Sequence, residues 1–365
     1  MRKKLYFPLV LALVSVESAT VAQAQLLRNN SVLESLQSIT ASAIPPNGDL
    51  NPYGVAFVPA GFPTGGTIAT GDVLVANFNS SSNLQGTGTT IVCITPAGQQ
   101  SVFATSTLIG LDTALGVLSG GFVVVGNLPV TYPGGVATPQ QGSLQVFDRN
   151  GLLVATINDP TLLDSPWDLT IHDQGSQAQV FVSNVLSGTV TRVNLAVGSS
   201  TVTVVSKTQI GSGYTHQPNA AAVVVGPTGV AFDAGLDTLY VASTGDNKIF
   251  AISHALERGN ASSGTGSVVF ADATHLHGPL GLVLSPTGYL ITANGDAVNP
   301  GGTQNALVEF TRLGLLVAQY QLDAGAPGGA FGIALVSTSS PGSIRFAAVD
   351  DDLNTVTIWT LPPAN

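Results

Sequence analysis

Positive charge is scarce in this chain. Lys and Arg together number 11 in 365 residues, against 21 Asp and Glu, giving a formal net charge of −10. So acidic a chain lacks the basic surface that nucleic acid or an anionic membrane requires, and neither is expected as a partner. There is one cysteine, so no internal disulfide can form. Cys93 stands in the apolar run Ile91-Val-Cys-Ile94 and reads as a small buried hydrophobe rather than a reactive thiol. The usual nucleophile-elbow, zinc-protease, P-loop and dinucleotide-binding motifs are also missing, which leaves covalent catalysis without a named nucleophile and base. Charged residues make up only 9% of the chain, but 44% is apolar and there are 42 glycines, the balance of a β-rich protein with many turns rather than a disordered one.

Long apolar runs are confined to the start. Arg2-Lys-Lys4, an apolar stretch from Leu5 to Val16, and Ala22-Gln-Ala24 form the three parts of a secretory leader. The stretch is too short for a stable span, so residues 1–24 are expected to be cleaved, leaving 25–365 as one exported domain, periplasmic or extracellular, with no membrane span. Removing three basic residues and Glu17 would take the net charge from −10 to −12.

What the chain has in abundance is one pattern. Gly229-Val-Ala-Phe232, Thr238-Leu-Tyr-Val-Ala242 and Lys248-Ile-Phe-Ala-Ile252 are three short apolar strands separated by the turn residues Asp233-Ala-Gly235 and Thr244-Gly-Asp-Asn247. The pattern recurs six times. Aligned on a glycine or its equivalent, the copies sit at Gly54, Gly116, Asp168, Gly229, Gly281 and Gly332, spaced by 62, 52, 61, 52 and 51 residues. A repeat near fifty residues made of three or four strands is a propeller blade, so the expected fold is all-β: a six-bladed β-propeller of four-stranded antiparallel blades. The sixth copy ends one strand short. Ser31–Ile39 precedes the first blade and could supply the missing strand, removing an open edge. Val32, Leu33, Leu36 and Ile39 also fit helical spacing, but the vacant edge favours a strand. A single closed ring of this kind is expected to be a monomer.

The fourth copy, Pro227-Thr-Gly-Val-Ala-Phe-Asp233 with Leu239-Tyr-Val-Ala242 and Asp246-Asn-Lys-Ile-Phe-Ala-Ile252, resembles the NHL-repeat group of six-bladed propellers, and the chain is distantly similar to gluconolactonase-type propellers. The second copy lacks the proline and the third has Asp168 for glycine. The resemblance implies a fold shared by binding scaffolds, metal-dependent lyases and calcium lactonases. It also implies that the loop entering each blade and the loop after each second strand share the face around the channel mouth.

Two rings then become candidates. The residues before the aligned glycines are Tyr53, Leu115, Trp167, Thr228, Leu280 and Phe331, too apolar to hold calcium, which wants several oxygen ligands. Their plain role is packing; their functional role would be to stack a ligand on Tyr53, Trp167 and Phe331, oriented by Asp168. After the second strands stand Asn77, Asn127, Asn184, Thr244, Asn294 and Asp350, which either satisfy backbone groups in turns or form an amide ring for a ligand. Asp350-Asp-Asp352-Leu-Asn354 mimics the start of a calcium loop but lacks its later residues, and reads as a solvated turn. His216, His275 and His277 lie on loops toward the fourth and fifth blades, and imidazoles in such loops could bind a divalent metal. Three functions follow: a module binding a small molecule or protein at the channel mouth, a metal-dependent lyase or hydrolase using those histidines, or a structural envelope or matrix protein.

Overall fold

A computed structural model describes residues 31–33, 37–338 and 343–361. The expected leader, residues 1–24, lies outside the described residues. The protein is a six-bladed β-propeller, with six four-stranded antiparallel sheets. The one helical element among the described residues is a single 3-10 turn, Pro133–Gly135.

The innermost strands are Leu50–Phe57, Leu111–Leu118, Pro166–Asp173, Pro227–Asp233, Pro279–Leu284 and Ala330–Ser337. Each packs against the innermost strand of the next blade, and the sixth packs against the first. The second strands, such as Val73–Asn79, are buried on both faces and so read as unbroken apolar runs rather than alternating ones. The core is divided among the spaces between blades, so a blade buries its faces only by having neighbours.

Glycine at the aligned positions answers to this crowding. A Cβ on Gly54 would lie 2.5 Å from the Asp112 carbonyl oxygen, and one on Gly281 would lie 2.7 Å from that of Phe331. On Gly229 and Gly332 it would press on the carbonyls of Leu280 and Tyr53. These glycines let neighbouring backbones meet.

The sixth blade is closed from the other end of the chain by part of the stretch expected, of which residues 34–36 lie outside the described residues. The closing strand is Gln37–Ser42, paired antiparallel with Thr355–Leu361 so that Ile39 faces Ile358 and Ala41 faces Val356. The Thr40 and Thr357 hydroxyls bond across it at 3.0 Å. Ser31–Leu33 is instead a turn whose Val32 amide donates to the buried Glu309 carboxylate at 3.0 Å, while Val32 and Leu33 fill a core shared with Phe346 and Trp359. A buried carboxylate offering acceptors to successive amides draws this segment out of the sheet and onto blade five.

Candidate functional site

The axis of the ring carries the site. Tyr53, Trp167 and Phe331, from blades one, three and six, meet there. Tyr53 stacks on Phe331 with ring centroids 3.9 Å apart, and its other neighbour is Phe78, stacked at 4.5 Å; Trp167 leans on Tyr53 at 6.2 Å. All four are buried. Both stacking partners of Tyr53 are therefore protein rings, and the tyrosine is the centre of a plug rather than an open platform. Burial pushes the Tyr53 hydroxyl pKa well above its usual range, with the charges of Asp351 and Asp112 adding to the shift.

Blade two contributes different residues from those the alignment names. Leu111 pairs with Asn127 and Leu115 with Val125, so Asp112 and Thr113 bulge out where the other blades carry one residue. The counterpart of Gly54 is Ala114, and Leu115 sits beyond the ring. The Thr113 hydroxyl donates to the Trp167 carbonyl of the next blade. Asp112 is fully buried; its Oδ1 accepts from the Thr113 amide at 2.8 Å, and its Oδ2 finds no partner among the described residues. Gly116 lies two residues beyond Ala114, and a shift of two leaves the alternation along a strand unchanged, so the sequence gives no sign of the bulge.

Trp167 and Asp168 are adjacent in sequence but face different compartments. Trp167 lines a pocket of about 130 Å³ at the channel mouth, together with Tyr53, Leu280, Phe331, Asp351 and Asp352. The wall over this pocket is a hairpin, Gln217–Asn219 with Val223–Val225, that supplies Val224 and Val225. Val223 holds a positive φ of 59°, a conformation costly for a β-branched residue. The indole N–H of Trp167 is buried and has no hydrogen-bond partner among the described residues. Asp168 lies on the other side of the plug, in a funnel along the propeller axis. Its Oδ1 accepts from the Leu169 amide at 2.8 Å and its Oδ2 from the Val230 amide of the next blade at 3.3 Å. Burial drives its pKa well above the usual carboxylate range.

The amides expected to form a ring turn their Nδ2 groups to nearby backbone. Asn77, Asn127, Asn184 and Asn294 are buried, and each donates its Nδ2 to a carbonyl on the segment entering its own blade: Ala43 at 3.1 Å, Ile109 at 2.9 Å, Leu162 at 3.2 Å and His275 at 2.8 Å. They are clamps, because irregular backbone buried at a blade's entrance must find hydrogen bonds. In blade four the position opposite Pro227 is Ser243, not Thr244. Asp350 is buried too, and its Oδ1 accepts from the Leu353 amide at 3.0 Å, so the triple-aspartate turn is only partly solvated. Burial, then Asp323 and Asp352, raise its pKa to about 6. Asp351 rises to about 8, from burial first and the Asp352 and Asp350 charges next.

The histidines are not assembled. His275 Nδ1 lies 2.6 Å from Asp272 Oδ2, His277 Nε2 lies 3.3 Å from the Thr274 carbonyl, and His216 Nδ1 lies 3.0 Å from the Tyr214 carbonyl. Among the described residues no group of three or more His, Cys, Asp or Glu side chains is arranged to hold a metal ion. Each imidazole serves its own loop, and proximity in sequence did not become convergence in space. No helix among the described residues is long and apolar enough to cross a membrane.

No protein-family model matches the sequence, and no match was found among curated proteins. Solved structures do resemble the fold. A calcium-binding protein, regucalcin, from Agrobacterium tumefaciens shares 14% identity at a TM-score of 0.53, covering 89% of this chain and 93% of that one. A putative oxidoreductase (glucose dehydrogenase) from Thermus thermophilus shares 13% at 0.51, covering 89% and 100%. An α-L-arabinanase from Penicillium chrysogenum, solved with arabinobiose, shares 13% at 0.50, covering 89% and 98%. Enzymes and a binding protein thus share this architecture with the chain, and at such identity the likeness is one of fold, with function left to the site itself.

Proposed function

We propose that this chain is an exported binding module that holds a small, flat ligand in the mouth pocket. The observation that carries the reading is the buried Trp167 indole N–H without a partner, in a side chain that lines a pocket shared with Asp351 and Asp352. An unmade hydrogen bond to a buried donor costs about 1–3 kcal/mol, a penalty a ligand acceptor would remove. The two carboxyl groups would take donors from the same ligand, while Leu280, Phe331 and Val224 cover its apolar faces. A sugar-like or heterocyclic molecule has this mix of groups. The NHL-type repeat pattern supports a scaffold role. The three histidines, each engaged within its own loop, favour binding over metal-assisted catalysis.

The test is a ligand screen by thermal shift, followed by titration of any hit against Trp167→Phe and Asp351→Asn. Trp167→Phe keeps an aromatic ring but removes the N–H together with part of the indole, and should weaken binding by at least about tenfold. His275→Ala should change nothing. A hit that binds both pocket variants as it binds the wild type would refute the reading. Export rests on the leader alone, and a mature N-terminus at Gln25 by mass spectrometry is its check; Met1 retained on the exported protein would overturn it.

A further inference from the structure

We propose that the funnel beyond the aromatic plug is a second binding site, for a primary amine carrying an apolar chain, whose ammonium group is received by Asp168. The funnel encloses about 280 Å³. At about 30 Å³ per water-sized unit, that is room for a chain of roughly six to eight carbons and its head group. Its walls are apolar side chains of the innermost strands, among them Val55, Val117, Ile171, Leu282 and Val336. The only polar side chains among the lining residues are Thr113, Asp168 and Thr170, and no Lys, Arg or His lines it. Residues at the far ends of the strands, Val117, Ile171, Val283 and Val336, are half-buried, which marks the open end.

The charge pattern selects the head group. Each Asp168 oxygen accepts one backbone amide, from Leu169 or from Val230, which leaves each oxygen further acceptor capacity. Asp112 stands near enough for the Asp168 charge to act on it, and its Oδ2 has no partner among the described residues. Asp168 thus places a carboxyl group in an apolar funnel with no cation lining it, and the buried Asp112 carboxyl stands behind it. Buried carboxylates so placed are costly unless paired. The fold also gives up the small residue that the other blades carry at this point, Gly54, Ala114, Gly229, Gly281 and Gly332, to put a carboxyl here. An ammonium head offers a full positive charge and three donors, and its chain matches the walls. A carboxylate head would be repelled. An alcohol would bring one donor and no charge. A hard metal ion would want about six oxygens, which these walls do not supply.

The test is calorimetric titration of the mature protein with n-hexylamine, 1-hexanol and hexanoate, for wild type, Asp168→Asn, Val117→Lys and Trp167→Phe. Wild type is expected to bind hexylamine at least tenfold more tightly than hexanol and to show no binding of hexanoate. Asp168→Asn should weaken hexylamine at least tenfold and bring it level with hexanol. Because Asp168 also joins blade three to blade four, Asp168→Asn could lose its fold; Val117→Lys, at the half-buried rim, puts a cation in the funnel without touching that joint and should abolish hexylamine binding. Trp167→Phe should leave it unchanged, which separates this site from the mouth pocket. Equal affinity for hexylamine and hexanol, no binding of hexylamine, or wild-type affinity in a folded Asp168→Asn or Val117→Lys would each overturn the proposal.

Discussion

Gly332→Ala is the sharpest probe of how the ring closes. Gly332 is on the innermost strand of blade six, against the backbone of Tyr53 in blade one, across the seam where the two ends of the propeller meet. An alanine Cβ there would push into the Tyr53 carbonyl oxygen, with the carbonyl carbon at 3.1 Å and Val55 Cγ1 at 3.4 Å. The atom it strikes is backbone on a central strand, so no side-chain rotation relieves it, and the two strands must part by about 1 Å. That movement also opens the Tyr53–Phe331 stack, now at 3.9 Å. Overpacking of this kind costs about 1–3 kcal/mol, and the rigid setting places it at the upper end. For a domain of this size about 2 °C of Tm is lost per kcal/mol, so a drop of roughly 4–6 °C is expected. Gly259→Ala is the control: it is exposed, its Cβ would meet nothing within 4 Å, and it shares the entropic gain of replacing glycine in the unfolded chain. Differential scanning calorimetry of both variants isolates the contact. A Gly332→Ala protein melting within 1 °C of Gly259→Ala would show that the strands are not held this close.

Two further predictions concern closure and acid. A chain beginning at Ala43 loses all six paired residues of the closing strand; at about 0.5–1.5 kcal/mol for each net hydrogen bond, stability should fall by roughly 3–9 kcal/mol, read from urea unfolding, and an unchanged midpoint would refute the closure. Asp351 has a folded pKa of about 8, against about 3.9 in an unfolded chain, so between those values the native state holds the extra proton and stability falls as pH rises from about 4 to about 8. Asp351→Asn should flatten that slope in a plot of Tm against pH; a variant with the wild-type slope would show that the group does not titrate as described.

How much of this was legible beforehand can be judged residue by residue. The Gly-bounded triplets of strands, and the spacing of Gly54, Gly229, Gly281 and Gly332, determine six blades, because a pattern repeated at blade length can bury its faces only by stacking on copies of itself. The meeting of Tyr53, Trp167 and Phe331 follows from the same spacing, since equivalent positions in a closed ring point to one axis. The closing strand was visible as a need, but its bounds were not: Gln37–Ser42 pairs with the last strand while Val32 is drawn to Glu309, and that choice depends on a carboxylate 277 residues away. The amide positions could be counted in the sequence, yet only the packed structure shows that Asn77 donates its Nδ2 to the Ala43 carbonyl. The bulge at Asp112–Thr113, the hairpin over the mouth and the separation of Trp167 from Asp168 by the plug were also beyond the sequence. Hydrophobic period and turn chemistry are local and determine which elements form. Register, burial of a polar atom and the division of a channel depend on which backbones touch, and that is decided only when all six blades are in place.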